Sequence, residues 1–191
     1  HLSDLMGDTQ RAIAYANRAT SAVPDRFEGY GQLGQLYKKR LEFDKSASCF
    51  DKAVRLAPGS SQLWHSLGLV WMESGRLAEA IECLKKAVSL DKRSAVGHYN
   101  LANALRKYGR SSESITHYKN ALALKPDFVE AKNNLGNAYI GSGDLDAAEQ
   151  CFREILKQSP DFLNAVSGLA RICDYRREFD SAYRLLQPYA T

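Results

Sequence analysis

The chain has 191 residues, 45% of them hydrophobic and 25% charged, and a formal net charge of +4, a balance that excludes a disordered tail and fits an ordinary folded chain. No apolar run approaches the roughly 18 to 20 residues that a membrane-crossing helix needs, and His1-Leu2-Ser3-Asp4 does not open a secretory leader.

Prolines supply the first regularity. Pro24, Pro58, Pro126 and Pro160 are spaced 34, 68 and 34 residues apart, and Lys92 occupies the missing place in the series. Setting these residues at position 32 of a 34-residue unit divides the chain into 1–26 (the end of one unit), 27–60, 61–94, 95–128, 129–162, and 163–191 (the beginning of another). Within each unit the spacing i, i+3, i+4, i+7 marks one face of a helix. Position 4 reads Tyr30, Trp64, His98, Lys132, Val166; position 7 is Leu33, Leu67, Leu101, Leu135, Leu169; position 8 is Gly34, Gly68, Ala102, Gly136, Ala170; and position 11 is Tyr37, Trp71, Leu105, Tyr139, Cys173. A second helix follows, with Ala12, Ser46, Ala80, Ser114, Ala148, Ala182 at position 20, Ala16, Phe50, Leu84, Tyr118, Phe152, Leu186 at position 24, and Ala19, Ala53, Ala87, Ala121, Ile155, Tyr189 at position 27.

Each unit therefore predicts two amphipathic helices of about 14 residues, about 21 Å long. A helical glycine costs about 1 kcal/mol relative to alanine, so its recurrence at position 8 implies a close approach, assigned to the small residue at position 20. Gly75, Gly109 and Gly143 at position 15 predict a turn with positive φ, where Leu41 and Arg177 depart from the pattern. Proline at position 32 stops the second helix, and Asp25, Asp127 and Asp161 are the expected N-caps of the helices that follow. Ile155 and Tyr189 replace small residues at position 27 and predict looser or shifted packing near the C-terminus.

Tyr30-x-x-Leu33-Gly34-x-x-Tyr37 and Trp64-x-x-Leu67-Gly68-x-x-Trp71, with the later small residues and proline, resemble the tetratricopeptide repeat (TPR) family over essentially the whole chain. The resemblance implies an all-α fold, a right-handed α-solenoid of stacked antiparallel helix hairpins in a single array over 1–191, with the first helices lining the inside. A 34-residue hairpin cannot bury its own apolar face, so neighbours must stack. Both ends look cut, and the expectation is a fragment of a longer protein.

Positions 2, 6, 9 and 13 lie opposite the core face and form the expected concave groove. They are Glu28, Gln32, Gln35, Lys39; Gln62, Ser66, Leu69, Glu73; Val96, Asn100, Asn103, Lys107; Glu130, Asn134, Asn137, Gly141; and Asn164, Gly168, Arg171, Tyr175. Amides dominate this strip. Each carries a donor and an acceptor, which suits the alternating N–H and C=O groups of an extended peptide. The candidate peptide-binding residues are Asn100, Asn103, Asn134, Asn137, Gln32, Gln35, Lys39, Lys107 and Arg171, flanked by Tyr99, His65, Lys38 and Arg106. Residues 99–109, and more broadly units 95–143, resemble the TPR superhelix of O-linked N-acetylglucosamine transferase, which implies that Asn100 and Asn134 grip a bound main chain; Ser66 and Gly168 break that ladder.

The function expected is a protein–protein interaction scaffold that holds an extended peptide or a partner helix. The alternative is the substrate-recruiting repeat region of a larger enzyme of glycosyltransferase or sulfotransferase type. Groove charges are Lys39, Lys107 and Arg171 against Glu28, Glu73 and Glu130, three against three, too balanced for a phosphate-tracking surface; no nucleic-acid or membrane partner is expected. The lysine and arginine pair of the chaperone-binding TPR subclass is missing from the matching positions. No glycine-rich phosphate loop, G-x-S-x-G or H-E-x-x-H occurs, so no enzymatic activity is expected. Cys49, Cys83, Cys151 and Cys173 form no C-x-x-C pair and His1, His65, His98 and His117 are scattered, so neither metal nor cofactor is expected. Reduced thiols and a cytoplasmic setting are the default, and self-association through exposed end helices is a further expectation.

Overall fold

The computed structural model describes residues 2–187, with the side chains of 2–8 and 185 outside that description. The described residues form eleven helices and no strand. Contacts divide them into two compact units that meet between Arg93 and Ser94.

The first unit holds α1 (Leu2–Ala22), α2 (Phe27–Lys39), α3 (Phe43–Leu56), α4 (Ser61–Glu73) and α5 (Leu77–Leu90). The second holds α6 (Ala95–Lys107), α7 (Ser111–Leu124), α8 (Val129–Ser142), α9 (Leu145–Gln158), α10 (Leu163–Arg176) and α11 (Phe179–Leu186). The even-numbered helices all begin at position 1 of their unit, as the proline register predicts, and the helices after α1 pair into hairpins. This is the α-solenoid class of stacked helix hairpins. Among the described residues no helix is long and apolar enough to cross a membrane.

The position-7 leucines lie inside: Leu33, Leu67 and Leu101 are at most 2% exposed. In the first unit Leu67 shares a core with Tyr30, Phe50, Ala53 and Val70, and Leu33 packs with Ile13 and Ala16. In the second unit, Tyr118, Ala121 and Leu135 fill one cluster, and Phe152, Ile155 and Leu169 another. Ile155 is fully accommodated there, against the expectation of looser packing, because its side chain fills space beside Phe152 and Leu169.

The recurrent glycine owes its place chiefly to position 24. A Cβ at residue 34 would lie 2.6 Å from the Phe50 ring, one at residue 68 would lie 2.6 Å from Leu84 Cγ, and one at residue 136 would lie 2.7 Å from Phe152 Cζ. Position 20 contributes differently: Ser46 Oγ donates to the Gly34 carbonyl at 2.7 Å. Gly168, placed in the groove by its position, is buried instead, since a Cβ there would stand 2.5 Å from the same Phe152 ring. That ring is wedged between two glycines.

Position 15 takes the left-handed turn throughout, with φ of 82° at Gly75, 88° at Gly109 and 84° at Gly143. Leu41 and Arg177 adopt it too, at 59° and 60°, where a Cβ crowds the following carbonyl. The backbone ahead of position 32 leaves the helical region at Ala57, Lys125 and Ser159, which a following proline favours, and Asp91 ahead of Lys92 adopts the same geometry. The bend therefore does not need the proline ring.

Asp25, Asp127 and Asp161 are not the N-caps. Each lies in the turn one residue too early, and the cap position falls on Arg26, Ser60, Ser94, Phe128 and Phe162. Ser60 accepts from Leu63 N and Ser94 from Gly97 N. At Phe128 and Phe162 the ring packs on the core instead.

The first helix departs most from the repeat. It runs 21 residues without a break at Gly7 and docks on α2 by a rotated face. Ile13, Ala16 and Thr20 are buried, whereas Ala19 is exposed and Ala12 half-buried. At the other end Leu186 is 44% exposed, because no described helix follows to cover it; Tyr189 and Pro188 lie outside the described residues.

Two substitutions check this packing by urea unfolding. Gly136→Ala is expected to cost 1–3 kcal/mol, as overpacking does. Leu41→Gly is expected to stabilise by about 1 kcal/mol, because relief of the left-handed leucine outweighs the added freedom of the unfolded chain.

Candidate functional site

In the first unit the groove is a real concavity. A cleft of about 780 Å³ is lined by Glu28, Gly31, Gln32, Gln35 and Lys39 of α2, by Gln62, Leu63 and Ser66 of α4, and by Ala12, Tyr15, Ala16 and Ala19 of α1. The rotation of α1 produces this wall: the alanines assigned to its core face border open space. Tyr15 is 70% exposed, and beside Phe27, Leu36 and Leu63 it gives the cleft an apolar bed rimmed by amides. Gln35 Nε2 reaches Ser66 Oγ at 3.4 Å, so adjacent first helices are joined across the floor. Just outside, Lys38 Nζ pairs with Glu73 at 2.8 Å. That charge and, more strongly, burial lower the pKa of His65.

In the second unit the asparagines are wired together. Tyr118 Oη donates to Asn103 Oδ1 at 2.6 Å, and Asn134 Nδ2 donates to the same oxygen at 3.0 Å and to Tyr99 Oη at 3.2 Å. Tyr99 is itself held against Phe128, with ring centroids 4.8 Å apart. Farther along, Arg171 Nη1 donates to Asn137 Oδ1 at 2.9 Å, and Asn137 Nδ2 donates to the Asn133 carbonyl at 3.1 Å. Asn100 and Lys107 stand on the Asn103 face of α6, at helical spacings of three and four residues; Asn100 is half-buried and Lys107 exposed.

Of the expected residues, Gln32, Gln35 and Lys39 thus meet in one cleft, Asn103 and Asn134 form one bonded pair, and Asn137 and Arg171 another. Tyr118 was read from the sequence only as core. It is fully buried, yet its hydroxyl reaches the groove and orients Asn103. The signal was its identity: it is the tyrosine in a column otherwise filled by phenylalanine, leucine and alanine. His117 was likewise unassigned, and its Nδ1 lies 3.0 Å from that of His98.

Burial dominates the titration of this region. It pushes the Tyr118 pKa from 10 up to about 12, with Arg106 opposing, and pushes the Cys83 and Cys151 thiols up to about 11. The four cysteines are free, and raised thiols are poor nucleophiles.

The family profile described as "TPR repeat" matches residues 68–109 and 102–143, and two described as "Tetratricopeptide repeat" match 27–60 and 129–162. The chain belongs to the tetratricopeptide repeat family. Solved structures agree with the fold. This TPR chain is similar to MamA, at 25% identity and a TM-score of 0.77 over 82% of this chain and 92% of that one. It is also similar to YrrB, described as "a TPR protein with an unusual peptide-binding site", at 20% identity and a TM-score of 0.77 over 87% and 86% of the two chains. A tetratricopeptide repeat protein from Parabacteroides merdae superposes at 22% identity and a TM-score of 0.78 over 84% of this chain and 64% of that one. No curated protein sequence matches the chain.

Removing the Tyr118 hydroxyl tests its role. Tyr118→Phe is expected to cost about 1 kcal/mol near neutral pH. The folded pKa lies above the unfolded one, so the stability tied to the protonated hydroxyl is intact below about pH 10 and is lost as pH rises from 10 to about 12. Urea midpoints should therefore converge for the two proteins across that window.

Proposed function

We propose that this chain is an interaction scaffold whose concave face holds an extended segment of another protein. The observation that carries the reading is the Asn103–Asn134 pair. Because Asn103 Oδ1 is taken by Tyr118 and Asn134, and Asn134 Nδ2 by Asn103 and Tyr99, the outward groups left over are the Asn103 Nδ2 donor and the Asn134 Oδ1 acceptor. A fixed donor beside a fixed acceptor matches a peptide unit, and holding both in advance lowers the ordering cost of binding. The cleft in the first unit adds an apolar bed, with the amides of Gln32 and Gln35 at its edge and Lys39 at its mouth. Asn100, Asn137, Lys107 and Arg171 extend the polar strip in the second unit. A partner helix would use the same apolar bed through its own side chains but would leave the amide pair without backbone partners, so the amide pair favours the extended form.

The test is selection of random decapeptides on the full chain, followed by affinity measurement on the selected sequences. Asn100→Ala with Asn134→Ala is expected to leave the circular dichroism spectrum unchanged and to weaken binding about tenfold, the equivalent of one to two neutral hydrogen bonds. Undiminished affinity in that double variant would remove the amide strip from the account.

A further inference from the structure

Position 12 of one first helix pairs with position 13 of the next at one place in this chain. In the first unit that relation is filled by Lys38 and Glu73, 2.8 Å apart. In the second unit the same two positions hold Arg106 and Gly141. The cation is kept and the acid has been deleted down to its backbone. A Cβ at residue 141 would meet only Ser111, whose Oγ at 3.2 Å would have to give way slightly.

Arg106 bears the mark of that loss. Its Nε is buried with no hydrogen-bond partner, although the guanidinium is close enough to Tyr118 to act on the hydroxyl's pKa. Among the described residues it forms no ion pair. A buried Nε donor without a partner carries a desolvation cost that an anion would offset. The other buried side-chain atom without a partner is Oδ1 of Asn133, a residue 8% exposed. Asn133 is the repeat counterpart of His65, which feels the charge of Lys38.

We infer that the gap between Arg106 and Gly141 is a carboxylate-recognition site, in which an acidic group of the bound segment takes the place that Glu73 occupies in the first unit. Arg106 supplies a planar, charged donor fork, and Lys107 on the same helix a nearby positive charge. The inference rests on the groove reading and adds to it a chemistry: one acid per bound peptide, close to the Asn103–Asn134 pair. The carboxylate belongs to an aspartate or glutamate side chain or to a chain terminus, and the experiment separates these.

Two random decapeptide libraries, one with free and one with amidated C-termini, are selected on the full chain and on Arg106→Gln. The expected result is an acid enriched at one position, or an advantage of free over amidated termini, with at least a tenfold loss of affinity on Arg106→Gln. Enrichment without an acid, or an acid preference that survives in Arg106→Gln, overturns the site while leaving the groove reading in place. A second measurement needs no peptide. Gly141→Glu restores the acid in the chain itself, and Gly141→Gln matches its size and helix propensity. The glutamate variant is expected to melt about 2 °C higher than the glutamine variant, despite the unfavourable placement of an acid in the last turn of α8, and to bind acidic peptides no better than neutral ones. If selection yields no peptide on either protein, the groove reading falls, and equal melting temperatures of the two residue-141 variants then overturn the carboxylate site by themselves.

Discussion

Gly34, Gly68 and Gly136 each lie beneath the side chain of the residue sixteen places later, Phe50, Leu84 and Phe152, so tightly that even a methyl group would collide. This nesting is what lets two helices of a hairpin approach. It also aims the large side chain out through the hairpin toward the next first helix, as when Phe152 continues onto Gly168. Intra-hairpin closure and stacking on the neighbour are thus one contact seen from two sides. Each helix gives up the roughly 1 kcal/mol that glycine costs and recovers it by burying a whole aromatic or leucine side chain, worth about 1.5–3 kcal/mol.

The same geometry sets the groove. With positions 7, 8 and 11 turned inward, positions 2, 6, 9 and 13 of each first helix line up on the far side, and their polar groups meet those of the adjacent first helix. Gln35 with Ser66, Asn103 with Asn134 and Asn137 with Arg171 are all contacts of this kind. Within each unit this face is accordingly a lattice of bonded side chains with a few committed orientations. Tyr118 couples the two levels, because one residue fills the position-24 core slot and orients a groove amide.

The period, the helix starts, the glycine turns and the leucine column were all legible in the residues, because stacking imposes the same demand on every unit. What was hidden depends on individual side-chain lengths. Asp127 and Asp161 are natural caps by composition, yet Phe128 and Phe162 take the cap position because the chain turns one residue later to bury a ring. Gly168 read as a gap in the groove, and only the reach of the Phe152 ring makes it core. The first helix kept Ala16 inside but buries Ile13 and Thr20 where the repeat expected Ala12 and Ala19. Arg106 was legible only as a flank of the groove, and its buried Nε without a partner is visible in the structure alone.

The most direct measurement is side-chain amide NMR of the asparagines and glutamines, recorded as a selected decapeptide is added to the full chain. The account predicts shifts at the Asn103 and Asn134 side-chain amides, with the convex helices α3, α7 and α9 undisturbed. Saturable binding that perturbs those convex helices and leaves the Asn103 and Asn134 amides unmoved would contradict it.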